Sequence, residues 1–591
     1  MTSPPPERAA RAALALWLSL ATLVALQALL PFVAGMWGWG LNLLAFAPPR
    51  TGWALWAVAA LALAPLHARL IAGAIERVAS LIGGRAWIPA LACAVGAALL
   101  AWRLPDVVHY TGDFLLRQGA IEQSVPATEL FPQALPLDVA LHYHLPRWLI
   151  QHGARGAADA ARLIGAVEAA ALAWLAVAFG RTLGLRGVAA VAGAALVFFG
   201  GWLGLMTGYG KAFSEEVVLA LAIAGFGVRA AERGEALLPL GACLALALAL
   251  HRSGLAFLPA GALALALGMR VRGAQAWRRP DALLALALPV AALALVGPRI
   301  FGTLAGFDLT HHLSSPAVRG AGGVLGAAFA PDHLLDLVNL AALLSPLALA
   351  IPLLLLAGGR SLAGGRAGAV MIALAVPQLV MMLFVHPTRG VFQDWDVFAP
   401  AGITLATLAA LLVGRTLEAA ASWRWLGASV ALDAAAYALL WLVHSNDLDR
   451  GLTRVAAAAL GPPPRSEAER GISWEFLGTR YHELGHPRES AEAMARAAAL
   501  TPSARILMEW GLAEARRGDY ETARRAFEGA VERDPTQARL WMNLLQADIR
   551  LGDLAAAERA ALQIRRLMPG NALAERTLAE IQRRRAQRGR K

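Results

Sequence analysis

Apolar segments dominate the first 445 residues of this 591-residue chain. A helix that crosses a bilayer needs about 20 mainly apolar residues, and it satisfies its own backbone polar groups where lipid offers them no partner. The segments approach or reach that length. They lie at 12–36, 51–66, 87–102, 160–180, 187–206, 216–231, 236–250, 253–268, 282–300, 336–356, 367–385, 397–414 and 425–443. The pattern predicts an all-α, polytopic transmembrane bundle of about eleven to thirteen spans.

Composition favours the same interpretation. Apolar residues make up 58% of the chain and charged residues 16%, and the mean hydropathy of +0.54 is too high for a water-soluble protein of this length. The two cysteines, Cys93 and Cys243, lie inside apolar segments, where a disulfide framework is excluded and a small packing residue is expected. The net charge of +12 is almost all arginine in short loops and the last nine residues, so it indicates topology and no nucleic-acid partner.

Arginine marks every second loop between the segments. If the N-terminus with Arg8 and Arg11 is cytoplasmic, the positive-inside rule predicts basic residues in alternate loops. Those loops hold Arg69, Arg77, Arg85, Arg181, Arg186, Arg229, Arg233, Arg270, Arg272, Arg278, Arg279, Arg360, Arg366, Arg415 and Arg424. An odd number of spans then places the C-terminal region outside a bacterial inner membrane, in the periplasm or extracellular space. The first segment is too long, and too poorly followed by a cleavage site, for a removed signal peptide.

A second pattern begins near Trp474. Three glycines recur 33 and 34 residues apart, each with a proline 17 residues later and an apolar residue 11 residues earlier. They are Gly485, Gly518 and Gly552, with Pro502, Pro535 and Pro569, and with Trp474, Leu507 and Trp541. This spacing resembles the tetratricopeptide repeat, in which a glycine turn joins two helices and a proline closes the unit. It predicts an α-solenoid whose concave surface binds a protein or glycan acceptor or another partner.

These patterns together predict five regions. They are N-terminal transmembrane helices over 1–105, an outer loop with interfacial helices over 106–159, a transmembrane body over 160–445, a linker over 446–471, and a repeat domain with a basic tail over 472–591. All histidines except His67 fall in the predicted outer loops, together with several aspartates and Lys211. We therefore expect the functional face to point outward.

The first outer loop mixes apolar and charged residues at helical spacing, which favours amphipathic helices in the membrane interface. Asp113 directly follows Gly112, and Arg117 lies one helical turn further on, so the two side chains form either part of a site or a solvated salt bridge. Asp138, His142 and His144 suit a metal site, but their spacing is non-specific and favours a surface network.

Two further outer loops carry isolated polar residues. Lys211 lies in GYGKAFSEE, where its ammonium suits a phosphate or a lipid headgroup reached by snorkelling. His251 and Arg252 interrupt an apolar stretch at the outer ends of two spans. Polar groups so near hydrocarbon need partners, and an anionic ligand is one candidate.

The last outer loop, HPTRGVFQDWDVFAP, has the highest density of polar and aromatic groups. Its candidates are His386, Arg389, Asp394, Trp395 and Asp396. Two carboxylates beside an indole suit a sugar, whose hydroxyls bind the acids and whose CH surface covers the ring. The same acids suit capping of the following helix, because aspartate is favourable at a helix N-terminus.

The whole arrangement resembles the GT-C class of polytopic glycosyltransferases, which includes protein O-mannosyltransferases, aminoarabinose transferases and catalytic subunits of oligosaccharyltransferases. The resemblance covers about 100–445 and rests on TGDFLLRQG, RLIGAVEAAALAWLAV, GYGKAFSEE, HRSGLAFLP, PDHLLDLVNLAALLSPL and TRGVFQDWDVFAP. With the repeats, the layout is similar to that of bacterial GT-C-like membrane proteins. Two features depart from the family: the paired Asp-Glu of the mannosyltransferase loop is Gly112-Asp113, and Lys211 stands where relatives carry an acid. No metal site is therefore carried over, and a divalent metal has no support from the sequence.

The resemblance implies transfer of a sugar from a polyprenyl-phosphate donor in the outer leaflet to an acceptor on that side. Asp113 is the expected base, with Asp394 and Asp396 as further catalytic residues. The expected donor-phosphate ligands are Lys211, His251, Arg252 and Arg389, and the expected sugar or acceptor contacts are Arg117, Tyr209, Trp395 and His386.

The sequence is also compatible with two other functions. A transporter or flippase would place ionisable residues near the bilayer midplane and show symmetry between halves, and neither is evident. A non-catalytic membrane scaffold that displays its repeats would need none of the expected site chemistry.

Overall fold

The structure, a computed structural model, describes residues 6–83, 85, 87–112, 114–126, 131–359 and 361–588. The described residues form helices and connecting turns, with no strand among them. The prediction of an all-α fold is confirmed. The chain divides into two compact units, Met1–Gly451 and Leu452–Lys591.

The first unit consists of long apolar helices joined by short ones. Its N-terminal helices are Pro6–Leu29, Pro49–Ala62, Pro65–Ile82 and Trp87–Arg103. The expected first outer loop contains Phe114–Glu122, Pro136–Val139, a π-helical turn at Ala140–His144, and Leu145–Gln151. The longer helices that follow are Ala157–Thr182, Gly187–Phe198, Phe213–Arg233, Leu237–Leu250, Leu258–Arg272, Pro280–Thr303, Pro331–Leu344, Ile351–Gly358, Gly365–Phe384, Ala399–Ala419 and Leu426–Ser445.

Within the part of the chain that the structure describes, seven helices are long and apolar enough to cross a membrane, or nine if each of two bent pairs is one span. Three other apolar helices are shorter, namely Trp87–Arg103, Leu237–Leu250 and Pro346–Gly358. The count is lower than the eleven to thirteen spans expected from sequence. Several apolar segments form helices too short, or too sharply bent, to cross a bilayer alone.

The basic loop expected between the second and third spans is mostly a helix. Pro65–Ile82 is bent by 89° from Pro49–Ala62. Leu66, Leu70 and Leu81 are exposed on it, and Arg69 and Arg77 lie among them. The segment forms a helix because leucine and arginine repeat there at helical spacing, which suits an interfacial helix.

Ala399–Ala419 lies at the centre of the first unit. It belongs to the apolar stretch Trp395–Ala419, in whose most hydrophobic 18 residues 94% are buried. It packs against Gly187–Phe198, Phe213–Arg233 and Gly365–Phe384. Gly402 permits close approach, because a Cβ there would lie 2.7 Å from the Leu344 side chain. The loop with Asp394 and Asp396 leads directly into this buried helix. The packed helix therefore fixes the position of the backbone that carries these two side chains.

The second unit is a series of antiparallel helix pairs. Its helices are Glu467–Glu483, Pro487–Leu500, Ala504–Arg517, Tyr520–Arg533, Ala538–Leu551, Leu554–Leu567 and Ala572–Arg588. Gly518 and Gly552 end their helices at φ +90° and +76°, a backbone conformation that favours glycine. The repeat prediction is confirmed. The expected linker over 446–471 contains a helix, Leu448–Leu460.

Candidate functional site

Three segments that are distant in sequence meet around Asp396, and we refer to residues 110–112, 209–211 and 389–396 as the Asp396 site. Asp396 is fully buried. The Tyr209 hydroxyl donates a hydrogen bond to Asp396 Oδ2, and Lys211 Nζ lies 3.5 Å from the same oxygen. The second and last outer loops of the sequence are thus joined by a charged pair.

The first loop reaches the same place through its backbone and Thr111. Trp395 Nε1 donates to Thr111 Oγ1 at 2.8 Å, and Arg389 Nη1 donates to the Gly112 carbonyl at 3.2 Å. Gly112 has φ +68°, and a Cβ there would lie 2.6 Å from the Tyr209 ring. Only glycine fits that contact without displacing the ring.

Asp113, the expected base, lies outside the described residues. Gly112, the residue before it in the chain, accepts a hydrogen bond from Arg389 and lies against the Tyr209 ring.

Helix capping does not account for the two acids of the last loop. Asp394 precedes the 3-10 turn Trp395–Phe398, but its side chain makes no capping hydrogen bond. Asp396 lies within that turn and bonds to Tyr209 and Lys211. Asp394 thus makes no side-chain cap, and Asp396 has partners outside its own turn.

His251 and Arg252 have protein partners. Arg252 forms a two-pronged ion pair with Asp308, with N–O distances of 2.6 and 2.8 Å. His251 Nδ1 lies 2.6 Å from Ser253 Oγ, which donates to Glu216. Burial, helped by the positive charge of Arg252, lowers the pKa of His251 well below its usual value. Arg252 is therefore neutralised by Asp308, and His251 is uncharged at neutral pH.

The Phe213 ring lies between this pair and Lys211. Its centroid is 4.9 Å from that of His251 and 5.1 Å from Lys211 Nζ. His386 has different neighbours: its ring lies 4.2 Å from that of His333, and its carbonyl lies 3.4 Å from His312 Nδ1.

Arg117 does not depend on Asp113 for an ion pair. Its guanidinium donates to both oxygens of Asp138, at 3.0 and 3.1 Å. His142 Nδ1 lies 2.8 Å from Asp138 Oδ1, and both side chains are buried. The expectation of a surface network was wrong for Asp138 and His142, which are buried on the helix Pro136–Val139 and on the π-helical turn that continues it, whereas His144 is exposed.

Burial and close charges shift the pKa values of Asp138 and His142 in opposite directions. Burial alone would raise the pKa of Asp138, but hydrogen bonding with His142 and the charge of Arg117 hold it well below its usual range. Burial would lower the pKa of His142, but the charge of Glu215 and hydrogen bonding with Asp138 raise it to about 9. The Asp138 carboxylate is therefore ionised across the physiological pH range.

Two acids join the network that the sequence did not single out as site residues. Glu215 Oε1 lies 3.0 Å from His142 Nε2. Glu168, inside the apolar helix Ala157–Thr182, belongs to the same cluster. The available signal was that a lone acid within a membrane-type helix rarely lacks a function.

Comparison with known proteins identifies the repeats. Models of the tetratricopeptide repeat match residues 477–538 and 515–581. A curated protein from Escherichia coli O157:H7, putative cellulose synthase operon protein C, is 36% identical over 135 residues, which are 21% of this chain and 11% of that protein. The chain thus matches only about a tenth of its relative's length.

Solved repeat structures are also similar. The first TPR of Spaghetti (RPAP3) bound to an HSP90 peptide is 18% identical and covers 20% of this chain and 95% of its own, with a TM-score of 0.18. The APC/C hetero-tetramer Cut9-Hcn1 is 15% identical and covers 64% of this chain and 87% of its own, with a TM-score of 0.19.

Proposed function

We propose that this chain is an integral membrane glycosyltransferase, which moves a sugar from a polyprenyl-phosphate donor to an acceptor on the outer face of a bacterial inner membrane. The observation that carries the proposal is the Asp396 site. There, Arg389 donates to the carbonyl of Gly112, the residue before Asp113, and Lys211 pairs with Asp396, although the three loops are far apart in sequence.

The chemistry divides among these residues. The acceptor hydroxyl attacks the anomeric carbon, the bond from that carbon to the phosphate oxygen breaks, and Asp113 takes the hydroxyl proton. Negative charge develops on the departing lipid phosphate, where Lys211 and Arg389 stabilise it. Asp396 is buried between Tyr209 and Lys211, so we assign it to orienting the ammonium rather than to proton transfer.

The ion pair with Asp308 changes the role expected of Arg252. Two nitrogens of the Arg252 guanidinium already donate to the two oxygens of Asp308. Arg252 would have to give up this ion pair in order to bind a phosphate. We therefore assign phosphate binding to Lys211 and Arg389, and structural support of Phe213 and Lys211 to His251 and Arg252.

The repeats would recruit the acceptor or a partner protein. Repeat arrays present extended concave surfaces, and the solved RPAP3 repeat is described with a bound peptide. The name of the E. coli relative refers to a cellulose synthase operon, and on that ground we favour a partner that handles polysaccharide.

The decisive experiment is transfer in vitro from a polyprenyl-phosphate sugar by the purified full chain. Asp113→Asn keeps the shape of the side chain but cannot accept the proton, so transfer should fall by about 10²-fold or more. Glu122→Gln, at an exposed carboxylate of the same loop, should retain full transfer. Donor binding and melting temperature should be unchanged in both, and full activity of Asp113→Asn would refute the assignment.

A second candidate is a non-catalytic scaffold that displays its repeats. It is favoured by the fact that the family matches fall within the repeat region. Equilibrium binding of a polyprenyl-phosphate sugar separates the two functions, since a scaffold would not bind the donor and Lys211→Ala would then change nothing.

A further inference from the structure

His142, Glu168 and Glu215 form a compact cluster that the proposed reaction does not use. They come from the π-helical turn Ala140–His144 and from the helices Ala157–Thr182 and Phe213–Arg233. One donor atom from each side chain lies within 4.8 Å of the other two. Three separate elements therefore direct one nitrogen and two carboxylates towards a common point.

Each of the three side chains has a buried atom without a hydrogen-bond partner among the described residues: His142 Nε2, Glu168 Oε1 and Glu215 Oε1. His142 Nε2 and Glu215 Oε1 are 3.0 Å apart, close enough for an ion pair when the ring is protonated. His142 and Glu168 are only 3% and 8% exposed, so solvent does not satisfy them. Buried polar groups in this state are costly unless something binds them.

The other side of His142 is fixed in the way that metal-binding histidines are fixed. Its Nδ1 bonds to Asp138 Oδ1, and Arg117 holds both oxygens of Asp138. Once the ring has lost its second proton to a binding cation, a carboxylate that accepts from Nδ1–H leaves the Nε2 lone pair facing the cluster. Arg117 and Asp138 thus supply the second layer of contacts that such sites require.

The distances suit a small cation. Ligand atoms about 2.0 to 2.2 Å from one Zn²⁺ ion lie roughly 3 to 3.5 Å from each other. The pair at 3.0 Å fits this value, and the remaining separations need only small side-chain rotations. A cavity of about 20 Å³, lined by His142, Arg117 and Gly210, adjoins the histidine and has room for about one water.

We propose that His142, Glu168 and Glu215 bind one first-row transition-metal dication, of which Zn²⁺ and Mn²⁺ are the examples to test. The imidazole ligand favours Zn²⁺ over Ca²⁺ and Mg²⁺, which prefer oxygen-only sites, and the two carboxylates also suit Mn²⁺. The cation takes the place of the proton on His142 Nε2, and its positive charge balances the negative charge of the Glu168 and Glu215 carboxylates. It joins the loop turn to two long helices next to Gly210 and Lys211, and this role does not depend on sugar transfer.

The test uses the full chain in detergent, freed of metal with EDTA and reloaded with Zn²⁺, Mn²⁺ or Ca²⁺. Metal is counted by inductively coupled plasma mass spectrometry after removal of free ions. We expect about one Zn²⁺ or Mn²⁺ per chain, a higher melting temperature with either ion, and no retention of Ca²⁺. If the reloaded wild-type protein retains no transition metal and its melting temperature does not change, the proposal is wrong.

Variants locate the ion. His142→Ala, Glu168→Gln and Glu215→Gln should each reduce retained metal at least tenfold in the monodisperse fraction, whereas His144→Ala and Glu122→Gln, at exposed residues nearby, should retain it. Equal retention in all five variants would place the ion elsewhere and refute the ligand assignment. If a cluster variant does not fold, the wild-type reloading experiment still decides the proposal.

Discussion

Asp548 is a buried acid in the helix Ala538–Leu551, 1% exposed, and its Oδ1 has no hydrogen-bond partner among the described residues. Burial, with the charge of Asp553 as the next cause, raises the pKa of Asp548 to about 6. A carboxyl with a raised pKa in the folded state binds protons more tightly when folded. Stability is therefore lost as pH rises from about 4 through 6, and the full cost is present at neutral pH.

Removing that charge should stabilise the repeats. We expect Asp548→Asn to raise the free energy of unfolding at pH 7 by about 1 to 2 kcal/mol, and to have little effect near pH 4. Glu514→Gln is the matched control, because Glu514 lies at the same position of the preceding repeat but pairs with Trp510 and Arg517. It should lower stability. Hydrogen exchange of the helices that carry Glu514 and Asp548, in the full chain, measures the change in stability of each variant. Stabilisation of equal size in both variants would contradict the prediction.

The Asp396 site gives a second prediction for single residues. Asp396→Asn removes the charge that orients Lys211, so the affinity for a polyprenyl-phosphate sugar should fall by about tenfold. Asp394→Asn tests hydroxyl binding: it should weaken sugar or acceptor binding without the loss of stability that removal of a helix cap would cause, since Asp394 makes no capping hydrogen bond. Donor binding and melting curves for each variant decide between these outcomes. A loss of stability with normal binding in both variants would argue against ligand contacts.

Among the elements, the repeat helices depend on their glycine turns. Gly518 has φ +90°, so Gly518→Ala should cost about 1 to 2 kcal/mol of repeat stability. Gly529→Ala is the control, because Gly529 lies inside the helix Tyr520–Arg533 and a Cβ there would make ordinary contact with Leu507 at 3.5 Å. It should be neutral or stabilising by up to about 1 kcal/mol. Hydrogen exchange over residues 504–551 compares the two, and a smaller loss for Gly518→Ala than for Gly529→Ala would be inconsistent with the turn geometry.

At the scale of the whole molecule, the arginine pattern makes a prediction about topology. A periplasmic reporter fused after Lys591 should be active only outside the membrane, and a cysteine at position 272 should react only with a membrane-permeant reagent. A reporter active only in the cytoplasm would overturn the proposed sidedness and with it the outer location of the Asp396 site.

Removal of residues 472–591 tests the division of labour between the two units. Repeats contact mainly their neighbours, so the remaining chain should still bind a polyprenyl-phosphate sugar, while transfer to its natural acceptor should be poor. Loss of donor binding on truncation would mean that the repeats complete the donor site.

Local patterns in the sequence were enough to identify the helices and the repeats. Glycine and proline spacing located the turns at Gly518 and Gly552, and apolar runs located the long helices, since both depend on nearest neighbours. The partners of Arg117, Arg252 and Lys211 could not be predicted, because each depends on which helices pack together. Glu168 was missed for the same reason, since only the packed structure brings it to His142 and Glu215.

The bond from Arg389 to the Gly112 carbonyl closes a gap of 277 residues. At about 5 to 20 residues per second, the ribosome needs roughly 15 to 55 s to synthesise that stretch. During this interval the segment before Asp113 has been made but lacks the arginine and tryptophan that hold it. Nascent chains that stop before residue 389 should therefore expose this loop to proteases and chaperones, and the site can form only late in the synthesis of the first unit.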